Sequence, residues 1–134
     1  MHYSQSPPPG TVQPMRKVIL IVEDDSAVGD FLVQAITQET SYFPLHVTNS
    51  TRALEVTTQL KIDLFLLDYR LPSMNGLELY TFLHRRPNME TVPAIILTAS
   101  LEQHKAEIEA HNLIGLDKPV ELDDLLLAIN KLLR

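Results

Sequence analysis

The chain has 134 residues, of which 45% are apolar and 21% charged, carries a net charge of −6 and contains no cysteine. That is one domain's worth of sequence with an ordinary core-forming composition, and it excludes a disulfide framework, a thiolate metal site and a cysteine nucleophile. The acidic balance, with no Lys/Arg cluster, speaks against a general grip on nucleic acid. The apolar runs are too short to span a bilayer, and the start lacks the basic-then-apolar order of a signal peptide, so the expected setting is the cytoplasm and not a membrane.

Met1 to Pro14 is polar and proline-rich, including Pro7-Pro8-Pro9-Gly10, and has no apolar period. Residues 1–16 are therefore read as a flexible tail before a single domain spanning 17–134. Val18 to Val22 is apolar at every position, the pattern of a strand covered on both faces. Ser26 to Glu39 follows as a helix, with Val28, Phe31, Leu32, Ala35 and Ile36 at helical spacing and Asp25 as its cap. Phe43 to Val47 is a weaker strand that Pro44 moves to an edge. Ser50 opens a helix read through Leu60.

Asp63 to Leu67 is the second strong buried strand, followed by the loop Tyr69 to Gly76 and a helix from Leu77 to about Arg85, which Pro87 keeps from extending. Ala94 to Leu97 is a strand ending at Thr98. Leu101 to His111 is a thinly apolar helix, expected to rest mainly on Leu101, Ala106 and Ile108 and to be the least firmly anchored. Leu113 to Leu116 makes a short fifth strand interrupted by Gly115. Glu121 to Leu133 closes the domain with a broad stripe of Leu122, Leu125, Leu126, Ile129, Leu132 and Leu133. Alternating strands and helices predict a doubly wound α/β fold, a five-stranded parallel sheet in the flavodoxin-like order 2-1-3-4-5 with helices on both faces.

In a parallel sheet the C-terminal strand ends share one edge, so their residues converge although far apart in sequence. Those ends carry Glu23 and Asp24, Asp68, Thr98 and Lys118. Converging carboxylates repel unless a cation or proton holds them, and carboxylate and carbonyl oxygens suit Mg²⁺. A hydroxyl and an ammonium group beside them suit a phosphoryl group, with Asp68 placed to attack phosphorus.

In this order and spacing, Val22-Glu23-Asp24-Asp25, Leu66-Leu67-Asp68-Tyr69-Arg70-Leu71-Pro72-Ser73-Met74-Asn75-Gly76, Ile96-Leu97-Thr98-Ala99 and Lys118-Pro119 form a specific set. From Lys17 to the C-terminus the chain resembles the receiver domain of two-component response regulators. The resemblance implies that Asp68 is the phosphorylation site and that Glu23, Asp24 and Asp68 hold Mg²⁺ together with the backbone carbonyl of Arg70. It implies that Thr98 is the switch hydroxyl, that Lys118 binds phosphate and that the Lys118-Pro119 bond is cis. The implied donor is a phosphohistidine on a sensor histidine kinase or a histidine phosphotransfer protein. The face of the fourth helix, fifth strand and fifth helix is where a homodimer would be sought, and the downstream protein is left open.

The chain departs from the family pattern at Gly115, where an aromatic is usual three residues before the lysine. No side chain there can follow the switch hydroxyl, which leaves a degenerate, purely protein-binding receiver as an alternative. An aspartate-nucleophile phosphatase is the enzymatic alternative, but it usually needs a second Asp two residues on, where Arg70 stands. The chain ends with the fifth helix, so the expectation is a stand-alone receiver or a piece of a larger protein. The five histidines show no clustered zinc-ligand spacing, including His104 and His111 on one helix. Gly76 is read as permitting the turn into its helix.

Overall fold

The computed structural model describes residues 16–134, so the expected tail, except Arg16, lies outside the described residues. Arg16 itself donates to the carbonyls of Ser41 and Tyr42 at 2.9 and 2.8 Å, and its guanidinium sits over the Phe43 ring. Five strands and five helices alternate: β1 (Val18–Val22), α1 (Ser26–Glu39), β2 (Phe43–Val47), α2 (Ser50–Val56), β3 (Leu64–Asp68), α3 (Gly76–His84), β4 (Ala94–Thr98), α4 (Leu101–Ala110), β5 (Ile114–Asp117) and α5 (Leu122–Leu133). The strands form one parallel sheet in the order β2-β1-β3-β4-β5, as the alternation predicts, with Pro44 on an edge strand.

Alternation along each strand divides the core in two. Leu20, Val22, Phe65, Leu67 and Ile96 face one side with Leu79 and Leu83 of α3, whereas Ile19, Ile21, Leu64, Leu66, Ile95 and Leu97 face the other with Leu32, Ile36, Leu125 and Ile129 of α1 and α5. β1 is therefore apolar at every position, and β3 and β4 up to their last residues, Asp68 and Thr98, because both faces are covered. At roughly 1.5–3 kcal/mol per fully buried aliphatic side chain, these three strands supply most of what holds the sheet in place.

Helix ends follow local chemistry. Asp25 accepts from the Ala27 and Val28 amides at the start of α1, and Asn75 and Glu78 make a reciprocal capping box on α3. α2 ends at Val56, not Leu60: the hydroxyls of Thr57 and Thr58 donate to the carbonyls of Leu54 and Glu55, and the Thr58 and Gln59 amides reach back only three residues. The last turn tightens and the helix stops. The shifts at β3 and β5, by one residue each, move Asp68 and Asp117 inside the strands.

α4 is thinly held, but not as expected. Ile108 is buried and Leu101 half-buried, whereas Ala106 faces solvent. Phe31 and Leu122, expected on apolar stripes, also lie at the surface. The inner stripe of α4 runs through Leu101, His104 and Ile108, and Gly115 faces it: a Cβ at 115 would stand 2.6 Å from Leu101 Cδ1 and 3.1 Å from Ile108 Cδ1.

Candidate functional site

The register brings four strand ends to one edge. Val22 pairs with Leu67, Asp68 with Leu97 and Thr98 with Asp117, so Glu23, Asp68, Thr98 and Lys118 follow or end neighbouring strands. Backbone bonds continue past the strands from Glu23 to Val47 (3.1 Å), Tyr69 to Leu97 (2.7 Å) and Lys118 to Thr98 (2.9 Å), fixing where each side chain departs. The Lys118–Pro119 peptide is cis.

Glu23, Asp68 and Thr98 are only 1%, 4% and 4% exposed, while Asp24 lies open to solvent. Carboxylate oxygens of Glu23, Asp24 and Asp68 lie within 4.8 Å of one another. Lys118 Nζ donates to Glu23 Oε1 at 3.0 Å and stands 3.3 Å from Asp68 Oδ2. Glu23 Oε2 accepts from the Asp25 amide at 3.1 Å, and Asp68 Oδ1 from the Arg70 amide at 3.3 Å. Thr98 Oγ1 accepts from the Ser100 amide at 3.1 Å, which leaves the hydroxyl proton free to be donated elsewhere.

The charges are mutually dependent. Burial pushes the Glu23 carboxyl up from 4.5 to about 7, the Lys118 and Asp25 hydrogen bonds oppose the rise, and the charge of Asp68 adds to it. For Lys118, burial is the largest effect and works against its charge, but Glu23 and Asp68 together outweigh it and raise its pKa. The ammonium group is thus fully charged and neutralises part of an acidic cluster that still favours a cation. Three carboxylates at this spacing have the oxygen donors a hard divalent ion takes.

These residues line a cleft of about 290 Å³ with Asp25, Tyr69, Arg70, Ala99, Ser100 and His104. Every site residue expected from the sequence is therefore at the cleft, Arg70 included. The sequence reading missed Tyr69 and His104. Their rings stack with centroids 3.8 Å apart and planes at 21°, and the Tyr69 hydroxyl donates to Glu107 Oε1 at 3.2 Å. The available signal was the spacing of Leu101, His104 and Ile108, which puts the imidazole on the inward stripe of α4.

Two other features support the site from behind. His46 Nε2 donates to the Glu23 carbonyl at 2.8 Å, and a Cβ on Gly29 would overlap that imidazole. Gly76 starts α3 directly against the backbone of Asp68: its amide donates to the Tyr69 carbonyl at 2.8 Å, and a Cβ would meet the Asp68 carbonyl oxygen at 2.5 Å. Its role is close approach.

Residues 19–130 match the model of the response regulator receiver domain. The chain is 31% identical to sporulation initiation phosphotransferase F of Bacillus subtilis over 89% of this chain and 95% of that protein. It is 31% identical to the response regulator ArlR of Staphylococcus epidermidis over 87% of this chain but 52% of that protein, so it spans about half of this longer relative. Among solved structures, it is similar to a signal receiver domain of an HD domain-containing protein from Pseudomonas fluorescens, with a TM-score of 0.78, 25% identity and coverage of 89% and 95%. Its fold is shared with the chemotaxis response regulator CheY4 of Vibrio cholerae, with a TM-score of 0.79, 22% identity and coverage of 89% and 100%. With the family model matched over most of its length and the parallel sheet in the same order, the chain belongs to the response regulator receiver domain family.

Proposed function

We propose that the chain is a phospho-accepting receiver of a two-component or phosphorelay system, taking a phosphoryl group from a partner's phosphohistidine onto Asp68 and signalling by conformational change. The observation that carries this reading is the convergence of buried Asp68 with Lys118, Thr98 and two further acids at one sheet edge. An Asp68 oxygen attacks phosphorus, the P–N bond breaks, and the leaving imidazole nitrogen takes up a proton. Lys118 and the Thr98 hydroxyl are placed to accept the charge and one oxygen of the transferred group.

Glu23, Asp24, Asp68 and the Arg70 carbonyl would hold Mg²⁺, which when bound supplies charge neutralisation for the phosphoryl oxygens. The transferred group adds roughly −1.5 to −2 charges beside Lys118, enough to shift a loop balanced within a few kcal/mol. In this reading the chain is not an enzyme acting on external substrates. The likeness to sporulation initiation phosphotransferase F, matched almost end to end, supports a relay role. The donor would be a sensor histidine kinase or a histidine phosphotransfer protein. An apolar groove of Ala27, Val28, Phe31, Pro119 and Val120 shares Lys118 with the cleft and is a surface such a partner would cover.

The test is phosphorylation by acetyl phosphate in Mg²⁺, read by intact mass. One base-labile phosphoryl group per chain is expected, lost on chelation and absent in Asp68→Asn. Labelling that survives Asp68→Asn would sink the assignment, and repeated turnover of external phosphate esters would point to a phosphatase instead.

A further inference from the structure

The α4 side of the cleft is built from unusually little. Ala99 and Ser100 are small and exposed, and Ser100 makes no side-chain cap on α4, so the first bulky group along this wall is His104. Its ring has a defined seat. Tyr69 follows Asp68 directly, its amide and carbonyl are bonded to Leu97 and Gly76, and its hydroxyl is tied to Glu107 one turn beyond His104. The imidazole lies flat against that fixed ring.

On its other side the same stripe of α4 packs over Gly115. Leu101 fills the volume a side chain at 115 would need, and Leu101 is three residues before His104 on the same stripe. A Cβ at 115 would meet the tip of the Leu101 side chain, which would have to shift to make room.

We propose that the Tyr69–His104 stack is a positioning element of the phosphoryl site, a wall that excludes water from phosphorylated Asp68 and so sets how long the phosphoryl group survives. The proposal rests on Asp68 being the acceptor. Hydrolysis of an aspartyl phosphate breaks the P–O bond to Asp68 as a water oxygen bonds to phosphorus from the opposite side; the products are inorganic phosphate and the free carboxylate, and a proton is released. The incoming water must enter through the cleft mouth that His104 narrows. In this role the two rings act through their shape.

The experiment is decay of the phosphorylated full chain, labelled with phosphoramidate in Mg²⁺, desalted, and followed by intact mass. His104→Ala and Tyr69→Ala should each shorten the lifetime roughly three- to tenfold, the range that loss of one aromatic contact spans. The double variant should decay no faster than the faster single variant, because both remove one wall. His104→Phe, which keeps the flat ring, should restore the wild-type lifetime. Unchanged decay in His104→Ala, or multiplied effects in the double variant, overturns the proposal while leaving Asp68 as the acceptor. Wild-type protein that takes no label at Asp68 removes both, a result readily distinguished from labelled protein with unaltered decay.

Discussion

Replacing Lys118 by Met tests the electrostatic account of the cleft most directly. The ammonium group stands 3.0 Å from Glu23 Oε1 and 3.3 Å from Asp68 Oδ2, and its side chain is 21% exposed. Removing one partner of a buried ion pair costs about 3–5 kcal/mol, because the other charge is left uncompensated. Two features reduce that figure here. The cleft is open enough to screen part of the charge, and Glu23, already pushed up to about 7, can take a proton near neutrality. The expected loss for Lys118→Met, without divalent metal and slightly above neutral pH, is therefore on the order of 2 kcal/mol. Mg²⁺ held as proposed would neutralise the same carboxylates and would bind only where they are assembled, so saturating metal should cut the loss to less than about 1 kcal/mol. Urea unfolding followed by circular dichroism, with chelator and with Mg²⁺, measures both values, and an unchanged denaturant slope keeps the comparison valid. A loss of the same size in both conditions, or none without metal, would refute the reasoning.

Two further outcomes follow from the same geometry. In metal-free wild type, Glu23 binds its proton more tightly folded than unfolded, so its contribution makes stability fall as pH rises from 4.5 to about 7. The total is at most about 3 kcal/mol, and Mg²⁺ should flatten this slope in urea titrations across the window. Lys118, raised, contributes stability that is lost only above the ordinary lysine range and leaves this window untouched. Gly76→Ala forces a Cβ against the Asp68 carbonyl, where backbone must yield. It should cost about 1–3 kcal/mol by thermal melting and slow phosphorylation by acetyl phosphate; unaltered phosphorylation would show that α3 does not position Asp68.

The legible parts of the sequence were those set by local pattern and by topology. Val18–Val22 reads as a strand covered on both faces because such burial demands apolar residues throughout, and that demand is visible without a structure. Once the strands are parallel, Asp68, Thr98 and Lys118 must share an edge. The end of α2 was not legible, since whether Thr57 and Thr58 extend a helix or close it depends on which carbonyls their hydroxyls reach. Ala106 failed for a related reason: an alanine fits either face of a helix, and the thin stripe of α4 did not define its inner side. The seating of Lys118 on Glu23 as well as Asp68 depends on burial depth, which no spacing in the sequence encodes.

Gly115 carries the larger lesson about absent side chains. In the sequence it is a missing aromatic, and the natural reading is a loss of coupling between Thr98 and the outer face. In the structure the vacated volume holds Leu101 and Ile108, which gives α4 its principal apolar contact with β5 and sets the helix close over the cleft. An aromatic group is still beside the site, but Tyr69 stands immediately after the end of β3 and meets α4 through His104 and Glu107. Tyr69 touches that helix without any contribution from β5. The volume an aromatic at 115 would take is thus filled by α4 itself, and the aromatic ring that links the residue after Asp68 to that helix is Tyr69.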